Sequence, residues 1–250
     1  MTVSKVWPSA REAVADVFDG AVIMMDGFGG PGGMAQELIL ALRERGVRDL
    51  TIISNTAGLD SVSFGTPGGS LPVNHGILVA NGQVRKVIAS FPVSASPSRP
   101  TSFELLYREG KVELELVPQG TLAERIRAGG AGVAAFYTPT GAGTLVAEGK
   151  EVRVLDGREH VLETALKADF ACIRAWKADR LGNLVYRGSS RNFNVPMATA
   201  ARVVIAEVDE VVEPGELDPE VILTPGLYVK RVVVRRHPGK IYTREQGAAS

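Results

Sequence analysis

Hydrophobic positions along the chain fall into two alternating rhythms. Residues 21–25, 50–53, 86–90, 113–117 and 202–208 are short apolar or β-branched runs, mostly uninterrupted by polar side chains. Such runs suit strands covered on both faces, as in a parallel sheet. Between them, residues 9–18, 34–45, 101–108 and 120–128 repeat apolar positions at helical spacing. In the second of these, Leu38, Ile39 and Leu42 form one face, while Glu37, Arg43 and Glu44 form the other. Strand and helix in alternation predict an α/β fold: an open, mainly parallel sheet flanked by helices, with ligand sites beyond the strand C-termini. No internal repeat or composition shift divides the chain. The expectation is one domain over residues 1–246 with a disordered tail at 247–250.

Four stretches break the rhythm. The first is Asp26-Gly27-Phe28-Gly29-Gly30-Pro31-Gly32-Gly33, wedged between a predicted strand and a predicted helix. Five glycines in eight residues leave bare backbone where a ligand can approach. A helix N-terminus there favours an anionic group. The spacing is not that of a Walker A loop, so the stretch reads either as an anion or cofactor cradle or as a sharp turn. Residues 65–75, rich in Gly and Pro, predict an exposed, mobile excursion. Residues 92–100 predict a loop ended by a proline suited to helix entry. Residues 129–143 hold five glycines together with Phe136, Tyr137 and Pro139, and predict an ordered, site-forming loop.

Composition narrows the function classes. The 250 residues are 45% hydrophobic and 22% charged, ordinary for a globular protein. Lys plus Arg equals Asp plus Glu at 28 each, so no net charge points to nucleic acid or a membrane surface. Near-zero charge gives little protection against self-association and fits one component of a complex. The lone Cys172, inside the run Phe170-Ala171-Cys172-Ile173, excludes an intrachain disulfide framework and reads as a buried spectator. The first residues carry no apolar signal-like stretch, and no run reaches the roughly 18 apolar residues of a membrane span. A soluble cytoplasmic protein is expected.

Catalytic machinery is hard to find. His75, His160 and His237 are scattered, and no H-E-x-x-H, paired cysteines or carboxylate cluster suggests a metal. No G-x-S-x-G elbow occurs. Asn55, at the end of the run 50–53, is the best polar candidate. It reads either as an amide donor to a developing oxyanion or as an Asx-turn residue closing the strand. Ligand-binding loops without a nucleophile or base suggest half of an active site.

Long motifs then point to a family. The glycine loop, Ser54-Asn55-x-Ala57-Gly58, the segment Pro118-Gln119-Gly120-Thr121-Leu122-Ala123-Glu124-Arg125 and its continuation to Gly132 resemble the alpha subunit of the 3-oxoacid coenzyme A-transferases. So do Ala135-Phe136-Tyr137-Thr138-Pro139-Thr140-Gly141, Trp176-Lys177-Ala178-Asp179-Arg180-Leu181-Gly182-Asn183, Tyr186-Arg187-Gly188-Ser189-Ser190-Arg191-Asn192-Phe193-Asn194 and Gly215-Glu216-Leu217-Asp218-Pro219. The resemblance runs from about residue 10 to about 235. It implies an α/β fold and ping-pong transfer of coenzyme A between carboxylates, with the CoA thioester as substrate and no permanently bound cofactor. The nucleophile of that family is a glutamate in a Ser-Glu-Asn-Gly motif on the beta subunit, and no such motif occurs here. The implied partner is therefore a beta subunit carrying it, in a heterodimer or heterotetramer. By the same resemblance Asn55 helps hold the oxyanion, and Gly27, Phe28, Gly29, Gly30, Pro31, Gly32 and Gly33 contact CoA or line its pocket.

Within the family, Ala89-Ser90-Phe91-Pro92 and Phe103-Glu104-Leu105-Leu106-Tyr107-Arg108 look closer to 3-oxoadipate CoA-transferase alpha subunits. That implies succinyl-CoA as donor and a 3-oxo-diacid as acceptor. Arg99 is the candidate for the distal carboxylate; its alternative is a solvated loop arginine. The family loop carries Gly where Asp26 stands, and a carboxylate there opposes a phosphate unless it turns away or pairs with a cation. Two rivals share the scaffold: a CoA-ester hydrolase or ring-opening subunit, and a binding or scaffold paralogue without transfer.

Overall fold

The computed structural model describes residues 4–28, 33–61, 69–94 and 96–244. In chain order the strands are β1 (Val22–Met25), β2 (Leu50–Ile53), β3 (Val84–Ala89), β4 (Glu113–Leu116), β5 (Ala135–Thr138), β6 (Val152–Leu155), β7 (Arg158–Thr164) and β8 (Ala168–Arg174), then β9 (Lys177–Asp179), β10 (Leu184–Val185), β11 (Ala201–Val208), β12 (Glu210–Val212) and β13 (Val229–Val234). The helices are α1 (Ala10–Ala13), α2 (Gln36–Arg45), α3 (Gly76–Ala80), α4 (Ser102–Arg108), α5 (Gln119–Ala131) and α6 (Asn194–Ala200).

Seven of these strands form one sheet in the order β13-β11-β8-β1-β2-β3-β4, every pairing parallel. Two three-stranded sheets, β10-β9-β12 and β5-β7-β6, stand beside it. The α/β reading therefore holds. In β1, Ile23 and Met25 face a core built with Leu38, Ile39 and Leu42 of α2. Met24 faces the opposite core, with Leu122 and Ile126 of α5 and Met197 of α6. Both faces of the sheet centre are covered, which is why β1 and β2 are apolar at every position but the buried Thr51. The expectation fails at β4, an edge strand whose Glu-Leu-Glu-Leu pattern leaves Leu116 half-exposed.

Two expected loops are corrected. Of residues 65–75, those from 65 to 68 lie outside the described residues, Gly69 is exposed as expected, and those from 72 to 75 are buried instead. The chain's last described residues pin them: Val73 N–H donates to Tyr242 O at 2.9 Å, and Arg244 N–H to Leu71 O at 3.0 Å. Residues 129–143 are ordered but are not one loop: they finish α5 and then form β5. Gly129 and Gly130 are small because α5 lies against Leu166 O and Thr199, where a Cβ would overlap. The predicted helix at 101–108 is confirmed as α4, with a capping box. Thr101 Oγ1 accepts from Glu104 N–H, and Glu104 Oε2 accepts from Thr101 N–H. The predicted tail at 247–250 lies outside the described residues.

Candidate active site

In a parallel sheet the loops leaving the C-terminal ends of the strands share one edge, and here they converge from distant parts of the chain. Strand β1 runs into Asp26, Gly27 and Phe28, and β2 into Ser54, Asn55 and Thr56. Strand β4 leads through Pro118 and Gln119 into α5. Two close approaches fix this edge. A Cβ at Gly27 would overlap Ser54 Oγ and fall 2.8 Å from Thr56 Oγ1 and 2.9 Å from His75 Cε1. Gly58, at φ +102°, lies against the backbone of Gly76, where a side chain has neither space nor a comfortable conformation.

His75 is fully buried, its Nε2 2.9 Å from Thr56 O. Burial lowers its pKa to about 4, so the ring is neutral at pH 7 and acts as a donor to the Thr56 main chain. It supports the strand ends and is no base for the cleft.

Asn55 is buried, and its Oδ1 accepts from Gln119 Nε2 at 2.8 Å. That bond orients the amide and leaves Nδ2 without a hydrogen-bond partner among the described residues. The Asx-turn alternative would have the side chain bonded to its own following backbone; the carboxamide instead reaches across to Gln119. The Asn55 carbonyl accepts from Ser90 and Phe91 N–H groups, which ties the β2 and β3 exits together. Gln119 also lines an open cleft of about 290 Å³ with Phe28, Gly120, Ala123, Phe193 and Pro196, and with Asn192 as a second amide. The walls are apolar, and the Phe28 and Phe193 rings sit 6.2 Å apart. None of these lining side chains is ionisable.

Asp26 turns away from the cleft. It is almost wholly buried, and its Oδ1 accepts from Phe28 N–H at 2.9 Å. Its Oδ2 lies 3.4 Å from Asn194 Nδ2 and occupies the place a Cβ on Gly33 would take. Burial lifts the carboxyl pKa to about 7, partly offset by the Phe28, Asn192 and Gly27 donors. The carboxyl group is thus directed into the protein and does not line the cleft. Of the glycine-loop candidates, Gly27, Phe28 and Gly33 are placed at this edge, while Gly29, Gly30, Pro31 and Gly32 lie outside the described residues.

Arg99 is exposed, held through its backbone to Ser61 Oγ at 2.8 Å and to Ser96 O at 3.0 Å, and it does not line the cleft. Cys172 is buried in β8, where burial pushes its thiol up to about 12, far from a nucleophile. Among the described residues no group of His, Cys, Asp or Glu is arranged to hold a metal ion.

Behind the strand ends a buried ionic layer locks α2 to the sheet. Glu207, at the end of β11, accepts from Glu37 N–H at 2.8 Å and Leu38 N–H at 3.2 Å, capping α2 from outside its own segment. Arg235 Nε approaches its other oxygen at 2.9 Å without aiming an N–H at it. Even with Arg235 and Arg174 nearby, burial lifts the Glu207 carboxyl to about 7.

Residue-by-residue reading of the sequence missed Gln119, Asn192, Phe193 and Asn194 as site residues. The signal available was their place in two long motifs, Pro118 to Gly132 and Tyr186 to Asn194.

The family model described as coenzyme A transferase matches residues 8–235. The A-subunit of the 3-oxoadipate CoA-transferase of Pseudomonas putida is 53% identical, the match covering 92% of this chain and 94% of that protein. The A-subunit of the probable succinyl-CoA:3-ketoacid coenzyme A transferase of Bacillus subtilis (strain 168) is 47% identical over 93% of this chain and 90% of its own. The crystal structure of the acyl-CoA transferase YdiF apoenzyme from Escherichia coli O157:H7 shares the fold, with a TM-score of 0.79 at 23% identity. That match covers 97% of this chain and 49% of YdiF, so the chain spans about half of that protein. No helix among the described residues is long and apolar enough to cross a membrane.

Proposed function

The chain belongs to the coenzyme A transferase family, and from that premise we propose that it is the alpha subunit of a two-subunit enzyme moving coenzyme A from succinyl-CoA to a 3-oxo acid. The observation that carries this reading is a strand-end cleft with amide donors and apolar walls and, among the described residues that line it, no nucleophile. A carboxylate supplied by the partner completes it. The partner's glutamate, in a Ser-Glu-Asn-Gly motif, attacks the acyl-CoA carbonyl, and the reaction proceeds to a glutamyl-CoA thioester while the donor acid leaves. The acceptor carboxylate then takes the CoA in the reverse sequence.

We assign this chain's residues the following roles. Asn55 Nδ2 donates to the oxyanion of each tetrahedral intermediate, oriented by Gln119 through Oδ1. The glycine loop, residues 27–33, approaches the CoA thioester through its backbone. The cleft between Phe28 and Phe193, with the amides of Gln119 and Asn192 at its edge, suits an uncharged, amide-bearing arm such as pantetheine. Arg99, exposed on the loop after β3 and outside the cleft, is the residue we assign to the distal carboxylate of a diacid acceptor. The higher identity to the Pseudomonas putida protein, 53% against 47%, favours 3-oxoadipate over acetoacetate as acceptor. The assembly is a heterodimer or heterotetramer located in the cytoplasm.

The test is reconstitution. The chain alone has no transferase activity, and co-expression with a beta subunit carrying Ser-Glu-Asn-Gly gives CoA exchange over a panel of 3-oxo acids. Transfer by the single chain, with a glutamyl-CoA trapped on one of its own residues, overturns the reading.

A further inference from the structure

Three neighbouring strands of the central sheet, β13, β11 and β8, each deliver a charged residue at their C-terminal end. Arg174 closes β8, Asp209 follows β11 directly, and Arg235 follows β13 directly. With Arg187, Ser190 and Lys240 they line a cavity of about 220 Å³ at this edge of the sheet, where open α/β folds place ligands. Arg174 and Arg235 are buried, whereas Arg187 and Lys240 are exposed. The segment that supplies Arg187 and Ser190 also gives Asn192 and Phe193 to the apolar cleft, so the two cavities are neighbours.

The charges in this wall do not balance. Asp209 pairs with Arg174 at 2.6 Å and lies 4.0 Å from Arg235 Nη1, beyond hydrogen-bond reach. Even with Glu207 counted, 2.9 Å from Arg235 Nε, four cations meet two carboxylates. The buried Arg174 Nε has no hydrogen-bond partner among the described residues. Neither the Arg187 guanidinium nor the Lys240 ammonium makes an ion pair among the described residues. Arg187 is held instead over the Trp176 ring, 5.5 Å from its centroid. From residue 221 to residue 244 the sequence carries six Lys and Arg and no Asp or Glu, so that segment brings no balancing acid.

A surplus of two positive charges suits a dianion, and the forked donors of arginine match the oxygens of a phosphate group. A purely structural ionic layer needs Arg174, Asp209, Arg235 and Glu207; Arg187 and Lys240 add nothing to it. We propose that this cavity is a phosphate-binding site, in which Arg187 and Lys240 hold the group against the buried Arg174 and Arg235. The site does not rest on the transferase reading. Two sources present this chemistry: free inorganic phosphate, and a phosphorylated ligand such as CoA.

Inorganic phosphate is titrated calorimetrically into the purified full chain at fixed ionic strength, because salt screens exposed charges. The expected result is saturable uptake at a single site, weakened about tenfold by Arg187→Gln and by Lys240→Gln, each removing one charge-assisted hydrogen bond. Arg202, an exposed arginine near the start of β11 and so at the opposite edge of the sheet, gives the control. Arg202→Gln leaves the affinity unchanged. Absence of saturable uptake, uptake unchanged in both cavity variants, or equal weakening in the control overturns the site. The source is then read in the two-subunit assembly with CoA and 3′-dephospho-CoA. Arg187→Gln weakens CoA alone if the site holds the 3′-phosphate, weakens both if it holds the diphosphate they share, and weakens neither if the ligand is free phosphate. Each of these supports the site and names its occupant. Phosphate uptake by a chain whose assembly binds no CoA supports the site and counts against the transferase reading, so the two failures stay distinguishable.

Discussion

Replacing Asn55 by alanine in the assembled enzyme removes one amide donor from a buried strand end and alters little else. The Asn55 carbonyl still accepts from Ser90 and Phe91, so the β2 and β3 exits stay joined. Loss of an oxyanion donor in a water-poor site lowers kcat roughly 10²- to 10³-fold, about 3–4 kcal/mol of transition-state stabilisation. KM should move much less, because the bond strengthens only as charge develops on the oxygen. Gln119 gives the second arm of the test. Its 2.8 Å bond to Asn55 Oδ1 selects the amide orientation. Gln119→Ala removes one neutral hydrogen bond, worth about 1 kcal/mol, and should lower kcat about fivefold. The two residues act as one unit, so the double variant should be no slower than Asn55→Ala alone. Steady-state assays over a range of succinyl-CoA concentrations measure all three. A kcat for Asn55→Ala within about threefold of the parent refutes the donor role. Strictly multiplicative losses in the double variant refute the orienting role of Gln119.

Other outcomes follow from single features. Asp26, with its carboxyl raised from 3.8 to about 7, keeps a proton in the folded chain that the unfolded chain releases. Its contribution to stability is complete below about pH 4 and is lost as pH rises through about 7, at up to roughly 1.4 kcal/mol per pH unit. Asp26→Asn should flatten that part of the profile in urea unfolding between pH 5 and 8; an unchanged slope contradicts the buried-acid assignment. Gly58→Ala places a Cβ into the Gly76 backbone at φ +102° and should destabilise by about 3 kcal/mol, while a loss below about 1 kcal/mol in urea titration shows that the contact relaxes. Arg99→Ala should reduce kcat/KM for a diacid acceptor roughly 10- to 100-fold and spare acetoacetate; equal effects on both acceptors assign the choice to the partner chain.

Particular residues show where sequence was informative. Strands β1 and β2 were legible because burial on both faces favours apolar side chains, met at every position but Thr51, and helix α2 because Leu38, Ile39 and Leu42 share one stripe. Strand β8 was harder, since Asp169 and Arg174 bracket a four-residue apolar run. The sheet of β5, β6 and β7 escaped because glycines dominate its approach, and those at 129 and 130 serve helix packing instead of a loop. Burial of residues 72–75 depends on a strap from residues 242–244, which no local pattern announces. At the site, Asn55 was visible from its position at a strand end. The orientation set by Gln119 and the inward turn of Asp26 toward Asn194 were not. These contacts join residues 64 and 168 positions apart.

The strand order has a consequence for how the chain is made. Strand β1 sits between β2, which follows it closely, and β8, which begins at residue 168. During synthesis β1 to β4 can assemble early, leaving one edge of β1 with open N–H and C=O groups beside Ile23 and Met24. At ribosomal rates of about 5–20 residues per second, the stretch from Met25 to Ala168 takes roughly seven to thirty seconds to make, and that edge waits as long for its permanent neighbour. An unpaired apolar edge at the heart of a nascent sheet is a template for intermolecular strand addition. The interval before β8 emerges is therefore the chain's most aggregation-prone moment, and variants that loosen β8 would show their damage in yield before they show it in catalysis.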